Sequence, residues 1–365
     1  MRILHFADLH LDAGFSALGP VAGRLRRRAI RDTLKAIAGV AKDENVDAIF
    51  CAGDLFEQER IVPDTVHFLH DVFRGLDPIP IYIAPGNHDW YGAASAYRRQ
   101  PLPENVHVFE EDTLQPVDLD EGLTLWGASF RQPHKAQGDL DSFRVDRDGV
   151  HLALFHGSEN GSFRFEAGTK KRYAPFQRDQ IAGAGFRHAF VGHHHVPADD
   201  DLFTYPGNPE PLTFGEEGPR GVVIASIENN GITTRRITVA RTRVHELVLD
   251  VTGCTNADCL RERFLDVLGS LKGFARVTVR GELQTDVDLT RADLAGIRGS
   301  LDAPPVIVHG EVHRAYDFAA LREENTVRGV FVRQVFEADL DRDETRRVAT
   351  MGLRAFDERT DLEVE

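Results

Sequence analysis

The sequence contains little cysteine: only three of its 365 residues are Cys, and no two of them form a Cys-x-x-Cys pair. A sparse, odd number excludes a disulfide framework and a zinc ribbon and favours a reducing compartment, so we expect a cytoplasmic protein. Apolar runs long enough to cross a membrane are also absent, and the opening MRILHFADLH has no apolar stretch typical of a signal peptide. We therefore expect no contact with a membrane.

Positive charge is scarce as well, because 43 Lys and Arg residues face 58 Asp and Glu residues, a net charge of −15. This balance argues against a free-standing nucleic-acid-binding protein, which usually has a basic surface. The objection weakens if carboxylates surround bound divalent cations, or if a partner subunit supplies the DNA affinity. The length and a hydrophobic content of 42% indicate a globular chain of two domains.

The first 200 residues repeat one pattern, in which a short apolar run is followed at once by side chains able to bind metal. The runs are RILHFA, DAIFCAG, IPIYIAPG, VHLALF and HAFVG. The side chains at their ends are Asp8, His10, Asp54, Asn87, His156, His193 and His195. Helical patterns separate the first three runs, so we expect βαβ units, and ligands of such sheets collect beyond the carboxyl ends of the strands. All seven side chains should therefore converge on one place.

Seven oxygen and imidazole donors are too many for one tetrahedral ion and fit two ions that share a bridging carboxylate. Donors of this kind suit Mn²⁺, Fe or Zn. Paired divalent ions lower the pKa of a bound water and stabilise the attacking and leaving oxygens of a phosphate ester. The donor set therefore predicts two divalent metal ions and hydrolysis of phosphate esters.

Five motifs occur in order: D-x-H at 8–10, G-D at 53–54, G-N-H-D at 86–89, a single His at 156 and G-H-x-H at 192–195. Together they resemble the calcineurin-like metallophosphoesterase superfamily. More narrowly, ADLHLD, GDLFE, APGNHD and YPGNPEPLTFGEEGPRGVVI are similar to SbcD-type DNA repair exonucleases. The resemblance implies an α/β fold, with a sandwich of two β-sheets flanked by helices over residues 1–240. It also implies a small α+β capping domain at 241–335, and a C-terminal helix and tail at 336–365 that could bind a partner.

The resemblance also implies which residues hold each ion. One ion would be bound by Asp8, His10, Asp54 and His195. The other would be bound by Asp54, Asn87, His156 and His193, with Asp54 bridging the two. Because side chains alternate in an extended chain, His194 should point away from both ions.

His88 resembles the catalytic histidine of the family, which would protonate the leaving oxygen or stabilise the charged phosphate. Glu57 is a departure, because relatives carry Asp or His at this place. Its carboxylate could accept a hydrogen bond from His88 and raise the basicity of the imidazole, or it could be a solvated residue at the entry to a helix. For Asp89 we expect a structural role, bonding the backbone of the turn.

Basic residues beyond His156 are candidates for contacts with a DNA backbone. They are Arg164, Lys170, Lys171 and Arg172, with Tyr173 next to them. The other basic run, RLRRRAIR at 24–31, lies on a helical pattern and is interpreted as a solvated face. Near the C-terminus, the apolar stripe Val348, Met351, Leu353 and Phe356 could dock the coiled coil of a partner or pack against its own domain.

By resemblance, the protein would be a Mn²⁺-dependent 3′→5′ exonuclease on double-stranded DNA and an endonuclease on single strands. It would form a homodimer and work in DNA repair with an SbcC-like ATPase of the SMC family. The alternative is a phosphodiesterase or phosphatase for nucleotides or cyclic nucleotides, which the acidic charge favours and the capping domain disfavours. The complete donor set argues against a non-catalytic adaptor, and the absence of Asp-Arg-Gly after the G-D motif argues against a protein phosphatase.

Overall fold

The computed structural model describes residues 1–134, 140–161, 173–228, 231–268, 271–283, 307–314 and 316–356. The chain forms two compact units. The first comprises Met1–Glu246 with Gly273–Ala275, and the second comprises Leu247–Lys272 with Arg276–Glu365. The domain boundaries expected at residues 240 and 335 stay predictions.

The first unit carries two six-stranded sheets and several helices. Its first strands are β1 (Arg2–Phe6), β2 (Ala48–Cys51), β3 (Ile81–Ile83), β4 (Val106–Val108), β5 (Gln115–Asp120) and β6 (Leu123–Gly127). They are followed by β7 (Val150–His156), β8 (His188–Gly192), β9 (Ala198–Asp199), β10 (Phe203–Tyr205), β11 (Gly221–Glu228) and β12 (Gly231–Thr238). The helices of this unit are α1 (Gly19–Asp43), α2 (Pro63–Arg74), α3 (Ala96–Arg99) and α4 (Arg178–Gly183).

The first sheet has the order β12-β11-β1-β2-β3-β4, and the second has the order β5-β6-β7-β8-β10-β9. In the first sheet β1 to β4 are parallel, as the βαβ pattern predicts, and β11 returns antiparallel to β1. In the second, β6, β7, β8 and β10 are parallel. The carboxyl ends of the strands that precede the predicted metal ligands therefore gather at one edge of each sheet.

Alternation of side chains along the strands builds three apolar layers. In β1, Leu4 packs with the helices α1 and α2, whereas Ile3 joins the layer between the two sheets. In β7, Leu154 belongs to that middle layer and Phe155 packs with α4 on the far side. The order is helices, sheet, sheet, helix, which confirms the expected α/β sandwich flanked by helices.

Helix α1 begins at Gly19, with Pro20 in its first turn, where a missing N–H costs nothing. The interpretation of its basic run as a solvated face is wrong for Arg26, which is 1% exposed. Its Nη1 lies 3.0 Å from Glu210 Oε1, and Thr33 Oγ1 donates to the other oxygen of Glu210 at 2.9 Å. The guanidinium is buried because a buried carboxylate pairs with it.

The second unit combines a three-stranded sheet with helices. Its elements are β13 (Val244–Asp250), α5 (Ala257–Leu268), β14 (Phe274–Leu283), β15 (Ile307–Arg314), α6 (Phe318–Glu323), α7 (Val327–Glu337) and α8 (Arg342–Phe356). The sheet has the order β13-β14-β15, and β14 and β15 are parallel. A short helix expected near residues 291–301 lies outside the described residues.

Helix α8 divides the apolar stripe predicted near the C-terminus. Leu353 is fully buried and packs with Leu321 and Val332 of its own unit. Val348 and Phe356 remain 39% and 42% exposed. One part of the stripe therefore packs internally, and another part faces outward.

Across the described ranges, no helix combines the length and the apolar character needed to span a bilayer.

Candidate metal centre

The seven predicted donors lie at strand ends of both sheets. Asp8, Asp54 and Asn87 follow β1, β2 and β3 of the first sheet, and His10 lies two residues beyond Asp8. His156 closes β7 of the second sheet, and His193 and His195 follow β8. Asp8 and His156 are completely buried and Asp54 is 2% exposed. The site therefore lies where both sheets end.

Two clusters of donors are present. The ligand atoms of Asp8, His10 and His195 all lie within 4.8 Å of one another. Those of Asp54, His156 and His193 do the same. The structure thus places the predicted ligands in two adjacent groups.

Asp54 stands between the two groups. Its Oδ2 is 3.6 Å from His10 Nε2 and 3.2 Å from His156 Nε2. Asn87 Oδ1 lies 3.2 Å from the same His156 nitrogen. One carboxylate oxygen therefore faces both groups, which is the position of a bridging ligand.

The donor set fits divalent cations. His10 Nε2 is buried and, within the described chain, has no hydrogen-bond partner. Its Nδ1 lies 2.8 Å from Glu57 Oε1, so the proton belongs on Nδ1 and the lone pair on Nε2. A buried lone pair without a partner is costly unless a ligand meets it. Carboxylate, amide oxygen and neutral imidazole together suit Mn²⁺, Fe or Zn.

Four of the donors have backbones in the left-handed region, which non-glycine residues seldom adopt. The φ angles are 56° at Asp8, 51° at His10, 52° at Asp54 and 100° at His193. Such strain persists only where the surroundings enforce it, and it is concentrated at functional sites. The strand ends therefore turn sharply at the points where their side chains must meet.

Glycines of the motifs allow this convergence. A Cβ on Gly192 would lie 2.0 Å from the carbonyl oxygen of Ala52, and one on Gly86 would lie 2.4 Å from Asp54 Oδ1. Both distances are far below van der Waals contact. Neighbouring strand ends can thus approach one another only because these positions lack side chains.

Two carboxylates orient the histidines of the first group. Glu57 Oε1 lies 2.8 Å from His10 Nδ1, while Glu57 Oε2 lies 2.9 Å from His88 Nδ1. Glu216 Oε1 lies 2.7 Å from His195 Nδ1. A carboxylate on the far nitrogen fixes the ring and increases its basicity toward a metal. In the second group, His156 Nδ1 instead lies 2.8 Å from the carbonyl oxygen of Ala52.

Glu216 was missed from the sequence. It lies in the loop FGEEGPRG, 21 residues beyond His195, and nothing in the spacing distinguishes it from Glu217. Its other oxygen accepts hydrogen bonds from Asn208 Nδ2 and the N–H of Leu212, both at 2.6 Å. The motif YPGNPEPLTFGEEG is the only sequence feature that could have drawn attention to it.

The charges of His88 and Glu57 support each other. Burial lowers the pKa of His88, but the hydrogen bond with Glu57 and the charges of Asp54 and Glu57 outweigh burial and raise that pKa to about 9. Burial raises the pKa of Glu57, but hydrogen bonds with His10 and His88 outweigh it and lower that pKa to about 2. At neutral pH the two groups form an imidazolium–carboxylate pair.

Asp89 fixes the turn that carries Asn87 and His88. Its carboxylate accepts hydrogen bonds from the N–H groups of Gly86, Asp54 and Leu55 and from the hydroxyl of Tyr97, at 2.6–3.0 Å. The structural role expected for Asp89 is confirmed.

Two other predictions have different outcomes. His194 belongs to neither donor group, and its ring packs on Tyr205 with centroids 4.7 Å apart. The proposed DNA-contacting residues Arg164, Lys170, Lys171 and Arg172 lie outside the described residues.

Comparison with known proteins supports the motifs. Residues 1–197 match the family model of calcineurin-like phosphoesterases. The chain belongs to this family. It is therefore a metallophosphoesterase, a hydrolase of phosphoester bonds, and the resemblance inferred from the motifs is confirmed.

Individual relatives are distant. The chain is 25% identical over 287 residues to an uncharacterized metallophosphoesterase, YhaO, of Bacillus subtilis, covering 74% of this chain and 68% of the relative. It is 25% identical over 293 residues to the DNA double-strand break repair protein Mre11 of Methanopyrus kandleri, covering 72% and 62%. It is 32% identical over 186 residues to the SbcD component of the nuclease SbcCD of Bacillus subtilis, covering 47% and 45%.

Proposed function

We propose that the protein is a DNA nuclease dependent on two divalent metal ions, and that it is the nuclease component of an SbcC–SbcD-like complex acting in DNA repair. The observation that carries the proposal is the convergence of seven donors in two adjacent groups, with His88 beside them. The relatives named Mre11 and SbcD support DNA as the substrate. Hydrolysis would break a phosphodiester bond at its 3′ oxygen.

The donors are assigned as the motifs imply. One ion is held by Asp8, His10, Asp54 and His195, and the other by Asp54, Asn87, His156 and His193. Mn²⁺ is the proposed ion, with Fe or Zn as alternatives. When bound, the pair supplies Lewis acidity toward the phosphate and an activated water.

His88 is assigned to the leaving oxygen. Its Nδ1 is held by Glu57, and its side chain is 43% exposed, so Nε2 can reach a substrate. Its backbone N–H donates to Asp54 Oδ1 at 2.8 Å, which ties the histidine to the bridging carboxylate. From there it can donate a proton to the departing oxygen or stabilise the charged phosphate. Glu57 acts through His88 and His10 as a positioning residue.

The proposal includes two partners. An SbcC-like ATPase would bind the outward part of the stripe on α8, where Val348 and Phe356 are exposed. A second copy of the chain would complete a homodimer. The ATPase would supply positive surface that a chain with a net charge of −15 does not itself provide.

One observation favours a second candidate function. The net charge of −15 suits a small nucleotide or cyclic nucleotide better than long DNA, because a small ester needs no extended basic surface. The same donor groups and His88 would then hydrolyse that ester.

The deciding experiment is Mn²⁺-dependent cleavage of an end-labelled blunt duplex by the purified chain. We expect stepwise shortening, reduced about 10²–10⁴-fold in His88→Ala because that variant lacks the proton donor. His67→Ala, a histidine exposed on α2, is the matched control and should cleave like the wild type. Bis-p-nitrophenyl phosphate tests the metal centre independently of DNA.

Cleavage of the small ester without any cleavage of duplex or single-stranded DNA, even after addition of the ATPase, would overturn the nuclease proposal and favour the second candidate. Inactivity on both substrates with Mn²⁺ bound would overturn both candidates.

A further inference from the structure

A cleft of about 350 Å³ opens directly beside His88. It is lined by His88 and Asn87 of the G-N-H-D turn and by three further rings, those of Trp90, His134 and Tyr173. Its volume lies in the range of small-molecule sites, which begins near ~300 Å³. The reacting centre therefore borders an aromatic cleft large enough for one nucleotide.

Trp90 is held in place by its neighbours. Asp89 before it accepts hydrogen bonds from the turn and from Tyr97, and Tyr91 after it donates its N–H to the carbonyl of Phe130 at 2.7 Å. Trp90 nevertheless stays partly exposed at the cleft. A large ring is thus presented by a rigid backbone two residues from the proposed proton donor.

Tyr173 is fixed on the other side of the metal centre. Its carbonyl accepts from the N–H of Ser158 at 3.0 Å, next to the strand end that carries His156. Its ring centroid is 5.7 Å from that of the ligand His193. The ring of His134 stacks on it, with centroids 6.3 Å apart and planes 20° apart. Two aromatic surfaces anchored to different strand ends therefore line one cleft.

We propose that this cleft binds an unpaired nucleobase of the strand being cleaved, by stacking on Trp90 and Tyr173. The inference rests on the proposed nuclease function and specifies its substrate: a nucleotide whose base has left the duplex. Base–aromatic stacking tolerates any sequence because every base has a π face. Arg60, which also lines the cleft, can meet a neighbouring phosphate.

The charge of the chain favours the same assignment. With a net charge of −15, the protein cannot rely on the electrostatic attraction that gives most nucleic-acid-binding proteins their affinity. Stacking is the attraction left to a chain of this kind, since it depends little on net charge. The aromatic cleft supplies it beside the bond to be broken.

Fluorescence tests the cleft without any chemistry. The chain has two tryptophans, and Trp126 is only 5% exposed, so Trp90 should respond to a ligand. In buffer with EDTA, deoxyadenosine should quench the emission in a saturable way, and deoxyribose, which lacks the base, should not. Trp90→Phe should abolish the quenching. Absence of quenching, or equal quenching by both ligands, would overturn the proposal.

Tyr173 is tested by a matched pair of variants. Tyr173→Leu removes the ring and should raise the midpoint of the deoxyadenosine titration about tenfold, whereas Tyr173→Phe keeps the ring and should bind like the wild type. Circular dichroism and melting of both variants check that they are folded. Equal midpoints for the Leu and Phe variants would contradict the assignment of Tyr173.

Cleavage separates this inference from the nuclease proposal. Two oligonucleotides are compared that differ only in the terminal nucleotide, which carries its base in one and is abasic in the other. The wild type should have a KM about tenfold lower for the first, and Tyr173→Leu should lose this preference. Cleavage of both with equal KM by the wild type would refute the base site and leave the nuclease intact. Cleavage of neither would refute the nuclease, and the fluorescence titration would still decide the base site.

Discussion

Glu57 holds two histidines with one carboxylate, His10 through Oε1 and His88 through Oε2. From the sequence, Glu57 could be either a partner of His88 or a solvated residue, and the hydrogen bond decides for the partner. Its contact with His10 could not be foreseen, because the two residues are 47 positions apart and on different strand ends. A single side chain therefore links a proposed metal ligand to the proposed proton donor.

This link predicts different effects for two variants. Glu57→Ala should weaken Mn²⁺ binding about tenfold or more, because His10 loses its orienting partner, and should also lower kcat through His88. His88→Ala should lower kcat and leave Mn²⁺ affinity near that of the wild type. Calorimetric titration of the metal and hydrolysis of bis-p-nitrophenyl phosphate measure both quantities. Unchanged Mn²⁺ binding in Glu57→Ala would show that Glu57 does not position His10.

Glu216 gives a second prediction at the same scale. Glu216→Gln should weaken Mn²⁺ binding about 10–100-fold, because His195 loses the anionic partner of its Nδ1. The neighbouring Glu217 is exposed, and Glu217→Gln is the matched control. Titration of both variants with Mn²⁺ should separate them clearly. Equal affinities would mean that the Glu216–His195 hydrogen bond has no role in metal binding.

At the scale of elements, the strands that end in donors were recognisable, because an apolar run followed by a ligand is a strong local pattern. Strands β1, β2, β3, β7 and β8 all lie within the predicted runs. The two- and three-residue strands β4, β9 and β10 were not foreseen, since so few residues show no periodicity. Which strands share a sheet also depends on contacts far apart in sequence, as when β11 pairs with β1.

The close approach of strand ends predicts opposite effects for two glycine substitutions. Gly192→Ala should destabilise the protein by about 1–3 kcal/mol or more, because its Cβ would meet the carbonyl of Ala52. Gly39→Ala, inside α1 with no atom within 4 Å of the new Cβ, should stabilise it by about 0.5–1 kcal/mol. Urea unfolding without metal measures both changes. A Gly192→Ala variant as stable as the wild type would contradict the packing described.

At the scale of the whole molecule, burial of His5 between the sheets ties stability to pH. Its ring packs against Phe190 with centroids 5.1 Å apart, and burial lowers the pKa of His5 from 6.5 to about 3. Above pH 6.5 both folded and unfolded chains hold the ring neutral. Below it, only the unfolded chain takes up the proton, so the stabilising contribution is lost as the pH falls from 6.5 toward 3.

His5→Leu should therefore reduce the acid sensitivity of the fold. Between pH 6.5 and 5.5 the wild type should lose about 1 kcal/mol of unfolding free energy through this residue, and the variant should not. Denaturant unfolding at several pH values, with EDTA present throughout, measures the slope. His67→Leu on the surface of α2 is the control and should retain the slope of the wild type. Identical slopes for wild type and His5→Leu would exclude this role for His5.

The donor set also has a consequence for how the centre comes into being. Asp8, His10, Asp54 and Asn87 belong to the first sheet, whereas 69 residues separate Asn87 from His156, where the second sheet's contribution begins. On the ribosome, the nascent chain exposes the first four donors long before the others are translated. Even β11, which completes the pairing of β1, emerges after His195. Metal loading is thus a late event in biogenesis, reserved for chains whose two sheets have already met.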